Sequence, residues 1–96
     1  MLTVIVVTKN EERMIGACLE SVKWADEIIV ADNGSTDNTI KIAKSFTNKI
    51  FKFSGYNFAE LRNKSMEKAT GEWVLYVDSD ERVLEPLKFE IEELID

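Results

Sequence analysis

Glu27-Ile28-Ile29-Val30-Ala31 runs without a break into Asp32-Asn33-Gly34-Ser35-Thr36-Asp37, and then into Ile40, Ala43 and Phe46 at a spacing of three. Glu27 to Ala31 reads as a short strand buried on both faces of a parallel sheet. Asp32 to Asp37 is a run of turn and cap formers, and the spacing after it is helical. Strand, polar loop and helix in such close succession form the unit of an α/β fold.

The unit recurs on both sides. Upstream, Leu2 to Val7 is apolar and β-branched without alternation, which reads as a first strand. Asn10 is placed to cap a helix with Glu11 and Glu12 in its first turn, and Met14, Ile15, Cys18, Leu19 and Val22 carry the helical spacing to about Val22. Downstream, Lys49 to Phe53 alternates as a third strand. Asn57 with Glu60 makes a capping-box start for a helix with Phe58, Leu61, Ser65 and Ala69 on one face, and Gly71 suits its C-terminal stop. Glu72 to Val77 is a fourth strand that ends abruptly in Asp78-Ser79-Asp80-Glu81. A last helix follows Pro86 with Leu87, Ile91, Leu94 and Ile95 expected inward. Right-handed crossovers fold this order into a doubly wound, mostly parallel four-stranded sheet with helices on both faces, a half-domain of Rossmann-like α/β type.

Composition sets the bounds. The 96 residues are 45% hydrophobic and 31% charged, enough for one core and too balanced for a disordered tail. With 12 basic against 18 acidic residues the net charge is −6, and the lysines are scattered, which argues against nucleic acid as a partner. The single cysteine, Cys18, cannot form an internal disulfide and falls on the inward side of the first helix as a small core residue. No apolar run approaches the ~20 residues that span a bilayer, and Leu2 to Val7 lacks the flanks of a signal peptide. A cytoplasmic, reducing context is the reading.

In a doubly wound sheet the ligand lies outside the carboxyl ends of the strands. Thr8-Lys9-Asn10-Glu11, Asp32 to Asp37, Ser54-Gly55-Tyr56 and Asp78 to Glu81 follow the four strands, and three of these loops are densely polar. Taken singly, the first two read equally well as turns and caps; on one rim they read as a site. Asp78 and Asp80 can converge on one hard cation, Mg²⁺ or Mn²⁺, shared with phosphate oxygens, whereas an isolated Asp-x-Asp would only start a turn. The loop after the first strand holds no glycine, so neither a dinucleotide fingerprint nor a P-loop is present. The absence of histidine argues against a zinc site or a Cys-His nucleophile.

Val6 to Glu12, Ile29 to Thr39 and Ala69 to Glu81 resemble, in order and spacing, the three landmarks of the family 2 glycosyltransferases, a resemblance that covers essentially the whole chain. Gly55-Tyr56, Arg62-Asn63 and Asp80-Glu81-Arg82 further resemble the branch that adds glucose to the lipopolysaccharide inner core. The resemblance implies a GT-A fold and inverting transfer from a nucleotide diphosphate sugar. It implies that Thr8, Asn10 and Glu11 border the nucleoside, that Asp32 and Asn33 approach the uracil edge, and that Arg62 stands near base and phosphates. Asp78 would face the ribose and Asp80 the metal and diphosphate. Many relatives carry two aspartates where this chain has Asp32-Asn33, so Asn33 leaves the base preference open.

The family's catalytic base is usually an Asp or Glu well downstream of the Asp-x-Asp element, hence beyond Asp96, and no catalytic residue is assigned within the chain. Glu81 and Glu85 lie on the donor side. The expectation is therefore a donor-binding subdomain over residues 1–96, inactive by itself. Its parent enzyme would serve a cell-envelope glycan or lipid-linked acceptor, with a peripheral place at the inner membrane face open for the full-length protein. Two alternatives stand beside it: a non-catalytic nucleotide-sugar binding module, and a partner-completed oligomerising domain. Self-association is expected through the edge at Trp73 to Val77 or through the last helix.

Overall fold

A computed structural model of the chain describes residues 1–95, apart from the side chain of Phe58. Four strands and four helices alternate: β1 (Leu2–Thr8), α1 (Ile15–Val22), β2 (Glu27–Asp32), α2 (Thr39–Ala43), β3 (Ile50–Lys52), α3 (Phe58–Met66), β4 (Trp73–Asp78) and α4 (Glu85–Ile95). The strand order is β3-β2-β1-β4 and every pairing is parallel. The chain winds outward from β1 to β3 and then returns to the other side of β1, so the sheet reverses direction between β1 and β4. The register sets Thr8 opposite Asp32 and Val7 opposite Asp78, which brings three strand ends level on one rim.

All seven residues of β1 are buried. Leu2, Val4 and Val6 face a cluster built with Ile15, Cys18, Leu19 and Val22 of α1, Ala43 of α2, and Val77 and Val83. Ile5 and Val7 face the opposite way, onto Ile29, Ala31 and Leu61 of α3. Unbroken apolar β-branching in β1 is thus the consequence of helices on both faces, as a parallel sheet requires.

Local signals predict some boundaries and miss others. The capping box forms: the Asn57 side chain accepts from Glu60 N at 2.9 Å and the Glu60 carboxylate accepts from Asn57 N at 3.2 Å. Leu61 and Ser65 of α3 are buried as expected, whereas the expected place of Phe58 lies outside the described residues. Asn10 does not cap α1. The helix begins at Ile15 with no side-chain cap and no acidic residue in its first turn, while Asn10 sits at φ 52° in the loop before it.

Gly71 is not a helix stop either, since α3 ends at Met66 with Glu67 as its cap residue. A Cβ on Gly71 would lie 2.5 Å from Thr3 Oγ1 and 2.8 Å from Thr3 N, so glycine is required by close approach to β1. In α4 only Ile91 and Ile95 reach the core; Leu87 and Leu94, expected inward, are exposed. A helix with apolar residues on more than one face buries the stripe that meets its neighbour and leaves the other in water.

At the end of the sheet opposite the polar rim, Glu27 joins four segments. Its carboxylate accepts from Thr3 Oγ1 at 2.7 Å, from Thr70 N at 2.9 Å and from Thr70 Oγ1 at 3.0 Å, and it pairs with the Lys49 ammonium. Gly71 N in turn donates to Thr3 Oγ1 at 2.9 Å. Burial alone would raise the Glu27 pKa; the bonds from Lys49, Thr70 and Thr3 outweigh it and hold the group at about 2.

Candidate functional site

A crevice lies at the strand ends where the strand order reverses between β1 and β4, with α1 and α4 both on the face of the Leu2, Val4 and Val6 cluster and α3 on the other. A cleft of about 440 Å³ opens there. Thr8 at the end of β1, Glu11 from the loop after it, Asn33 from the loop after β2, and Asp78 and Asp80 at and just past the end of β4 line it. Five of the residues singled out in the sequence therefore meet in one place.

Backbone bonds fix the strand ends. Asn33 N donates to Thr8 O at 2.9 Å, and Ser79 N donates to Val7 O at 3.2 Å. The Asn33 side chain donates from Nδ2 to Tyr56 O at 3.1 Å, tying the loop after β3 to that after β2 and leaving Oδ1 as an acceptor. Thr8 Oγ1, Asp32 Oδ1 and Asn33 Oδ1 are buried and have no hydrogen-bond partner among the described residues. Buried acceptors are rarely left so. Two of the three belong to residues lining the cleft, and a ligand offering N–H or O–H groups would satisfy them.

Asn10, Asp32 and Arg62 do not line the cleft. Asp32 Oδ2 accepts from Gly34 N at 3.1 Å and Ser35 N at 2.9 Å, which shapes the turn carrying Asn33. Asn10 clamps two loops together: its Oδ1 accepts from Thr36 N at 2.7 Å and its N donates to Ser35 Oγ at 2.8 Å. Glu11 N donates to Thr39 Oγ1 at 2.9 Å beside it, so the loop that carries Glu11 is fastened to the start of α2. Arg62 is exposed on α3 with its guanidinium 5.3 Å from the centre of the Tyr76 ring.

Lys9, Tyr56, Asn57, Leu61 and Ser79 also line the cleft and were not named as site residues from the sequence. Lys9 and Ser79 belong to loops already singled out. Tyr56 follows β3 and so obeys the strand-end rule, while Asn57 and Leu61 read locally as the cap and core face of α3.

The end of β4 is strongly negative. The Cys18 thiol beneath it is pushed up to about 11, first by burial and then by the carboxylates of Glu81, Asp80 and Asp78. Glu81 Oε1 accepts from Asp78 N at 2.9 Å and closes the turn. Among the described residues no group of three or more His, Cys, Asp or Glu could hold a metal ion by itself. The exposed pair Asp78 and Asp80 nevertheless offers hard oxygen donors of the kind Mg²⁺ and Mn²⁺ take one or two at a time, the rest coming from phosphate and water. The donor set therefore fits a cation shared with an anionic ligand. Hydrogen-bond acceptors at the ends of β1 and β2 and an open acidic pair at the end of β4 suit a ligand with donor groups at one end and a cation-bridged anion at the other.

The family model for Glycosyl transferase family 2 matches residues 3–93. An uncharacterized glycosyltransferase of Rickettsia typhi is 36% identical over 92 residues, covering 95% of this chain and 32% of that protein. Among solved structures, residues 1–349 of S. aureus TarS superpose with a TM-score of 0.84 at 31% identity, over 99% of this chain and 32% of that one. The same protein in complex with UDP gives 0.79 at 32% identity, over 98% of this chain and 32% of that one. The mannosyltransferase PcManGT from Pyrobaculum calidifontis, in complex with GDP-Man and Mn²⁺, gives 0.72 at 27% identity, over 84% of this chain and 28% of that one. The parallel sheet and its helices thus match the GT-A arrangement of these neighbours. The chain spans about a fifth to a third of the length of the curated relatives it matches. Among the described residues no helix is long and apolar enough to cross a membrane.

Proposed function

The chain belongs to glycosyl transferase family 2, and from that premise we propose that it is the donor-binding part of an inverting, metal-dependent glycosyltransferase using a UDP-sugar. The observation that carries the proposal is the cleft at the sheet reversal, where unpartnered buried acceptors of Thr8 and Asn33 share one wall system with Asp78 and Asp80. The UDP complex of a protein that superposes over 98% of this chain supports the choice of nucleotide.

In this reading Thr8 Oγ1 and Asn33 Oδ1 accept from the base and ribose, with Asn33 held in orientation by the Tyr56 carbonyl. Asp32 keeps the turn that presents Asn33, and Glu11 and Asp78 bind the ribose hydroxyls. Asp80 would hold Mn²⁺ or Mg²⁺, which supplies the positive charge that offsets the leaving diphosphate. Lys9 on the cleft wall adds to that field, whereas Asp78, Asp80 and Glu81 would repel a bare diphosphate. Asn10 acts through the loop clamp, and Arg62 reaches phosphate only by leaving Tyr76.

Inverting transfer also needs a carboxylate at the acceptor hydroxyl, on the face opposite the diphosphate. That base and the acceptor cleft are assigned outside these residues, so the 96-residue chain is proposed to bind donor without transferring sugar. By the resemblance of Gly55-Tyr56, Arg62-Asn63 and Asp80-Glu81-Arg82, the proposed acceptor is a cell-envelope glycan or lipid-linked saccharide, reached from the cytoplasmic side.

Titration calorimetry of the chain with UDP, in Mn²⁺ and in chelator, tests the reading. Loss of the bridging cation should weaken binding about tenfold or more, which is ~1.4 kcal/mol. Asp80→Asn in Mn²⁺ should behave like wild type in chelator. Equal affinity in both conditions would remove the metal from the proposal, and no binding of UDP in either would remove the nucleotide.

A further inference from the structure

Ser21 lies in the last turn of α1 and does not line the nucleotide cleft; it borders a separate groove with Trp24, Val83 and Lys88. Its hydroxyl donates to Cys18 O at 2.7 Å and accepts from Val83 N at 2.9 Å. The hydroxyl has one proton, which the Cys18 carbonyl takes, so toward Val83 it can only accept. One turn earlier on the same helix, Cys18 Sγ donates to Asp78 O at 3.6 Å. Two residues of α1 therefore grip both ends of the segment from Asp78 to Val83.

Between those grips Ser79 is buried and its N donates to Val7 O at 3.2 Å, which ties the start of the turn to β1. Residues 81–84 form no regular structure. The turn at Asp78 is closed by Glu81, whose Oε1 accepts from Asp78 N and whose N donates to Asp78 O, both at 2.9 Å. The outer end of the turn is fixed at Val83, which is 8% exposed in the α1 cluster and whose amide is held by Ser21. Asp80 lies between the two attachments and is itself exposed.

We propose that Ser21 is a positioning residue for the cation-binding turn: by fixing Val83 to α1 it sets where the Asp80 carboxylate stands over the cleft. The inference rests on the reading of Asp80 as the ligand of a cation shared with the donor diphosphate. It goes beyond that reading by assigning the outer support of the turn to a side chain on a different element. The base and ribose contacts of Thr8, Glu11 and Asn33 hang on separate bonds, and Asp78, the remaining ribose contact, is held in β4 opposite Val7, so Ser21 governs the phosphate end of the site and leaves the nucleoside end alone.

The test compares wild type, Ser21→Ala and Ser21→Thr, each checked for folding by its thermal transition. UDP with Mn²⁺ and uridine alone are titrated by calorimetry, and exchange of the Val83 amide is followed by NMR in the ligand-free, metal-free chain. Ser21 holds the turn through one hydrogen bond, whose loss is worth about three- to tenfold, so Ser21→Ala should weaken Mn²⁺-dependent UDP binding by about that factor while uridine binding changes by less than about twofold. Its Val83 amide should exchange faster. Ser21→Thr, which keeps the hydroxyl, should restore both. Unchanged UDP binding in a folded Ser21→Ala protein, or equal weakening toward uridine and UDP, would overturn the assignment. A wild-type chain that binds no UDP in Mn²⁺ would overturn the donor-site reading instead, and an unchanged Val83 exchange rate would then overturn the role of Ser21 as well.

Discussion

Replacing Glu27 by glutamine removes a charge without changing the shape of the side chain, at the point where β1, β2, the approach to β3 and the loop before β4 are joined. The Glu27 side chain is 2% exposed and Lys49, its partner, is 52% exposed. A carboxyl whose pKa falls from 4.5 to about 2 on folding contributes ~3 kcal/mol to stability at neutral pH. Glutamine keeps one acceptor oxygen, so some bonds from Thr3 or Thr70 survive. Lys49 returns to water, so no buried charge is stranded.

The expected loss from Glu27→Gln is therefore ~2–3 kcal/mol. At ~4–8 °C per kcal/mol for a domain of this size, Tm should drop by roughly 10–20 °C. The folded pKa lies below the unfolded one, so the contribution is complete above about pH 4.5 and fades as pH falls toward 2. Thermal and urea unfolding of both proteins from pH 7 to pH 2.5 measure the difference directly, with the titration of the other carboxylates cancelling between them. A Tm within about 2 °C of wild type at pH 7, or a difference that does not shrink in acid, would refute the reasoning.

Two further outcomes follow from the packing. Gly71→Ala puts a methyl group 2.5 Å from Thr3 Oγ1 and against backbone at Thr3 N and Met1 O, so it should cost ~1–3 kcal/mol by overpacking, read from urea midpoints, while the exposed Gly55→Ala is judged only by its φ of 88°. The open edge of β4 and the outward side of α4, with Trp73 at 49%, Phe89 at 57% and Leu94 at 78% exposure, should drive reversible self-association into a homodimer. Sedimentation equilibrium should show a mass that rises with concentration in wild type and stays monomeric in a Phe89→Glu, Leu94→Glu double variant; a strictly monomeric wild type at high micromolar concentration would exclude it.

How much of the site could be read in advance divides along range of interaction. The strand-end rule needs only element order, and it led to Thr8, Glu11, Asn33, Asp78 and Asp80, all of which line one cleft. Asn10 and Asp32 carry the same polar composition as their neighbours, yet their side chains turn to Thr36, Gly34 and Ser35. Nothing in composition distinguishes a residue that faces a ligand from one that shapes the loop beside it. Arg62 sits on α3 at a place set by helix rotation, and that rotation follows from burial of Leu61 and Ser65.

The sequence by itself determined the alternation of strands and helices, the parallel sheet and the capping box at Asn57, because apolar run length, β-branching and i to i+3 contacts act within a few residues. Only the tertiary structure decided that Gly71 answers to Thr3, that α4 buries Ile91 and Ile95 and exposes Leu87 and Leu94, and that Ser21 holds Val83. Those contacts join residues tens of positions apart in the chain. Their partners exist only once β4 has docked beside β1 and fixed which surfaces meet, so no local pattern could carry them.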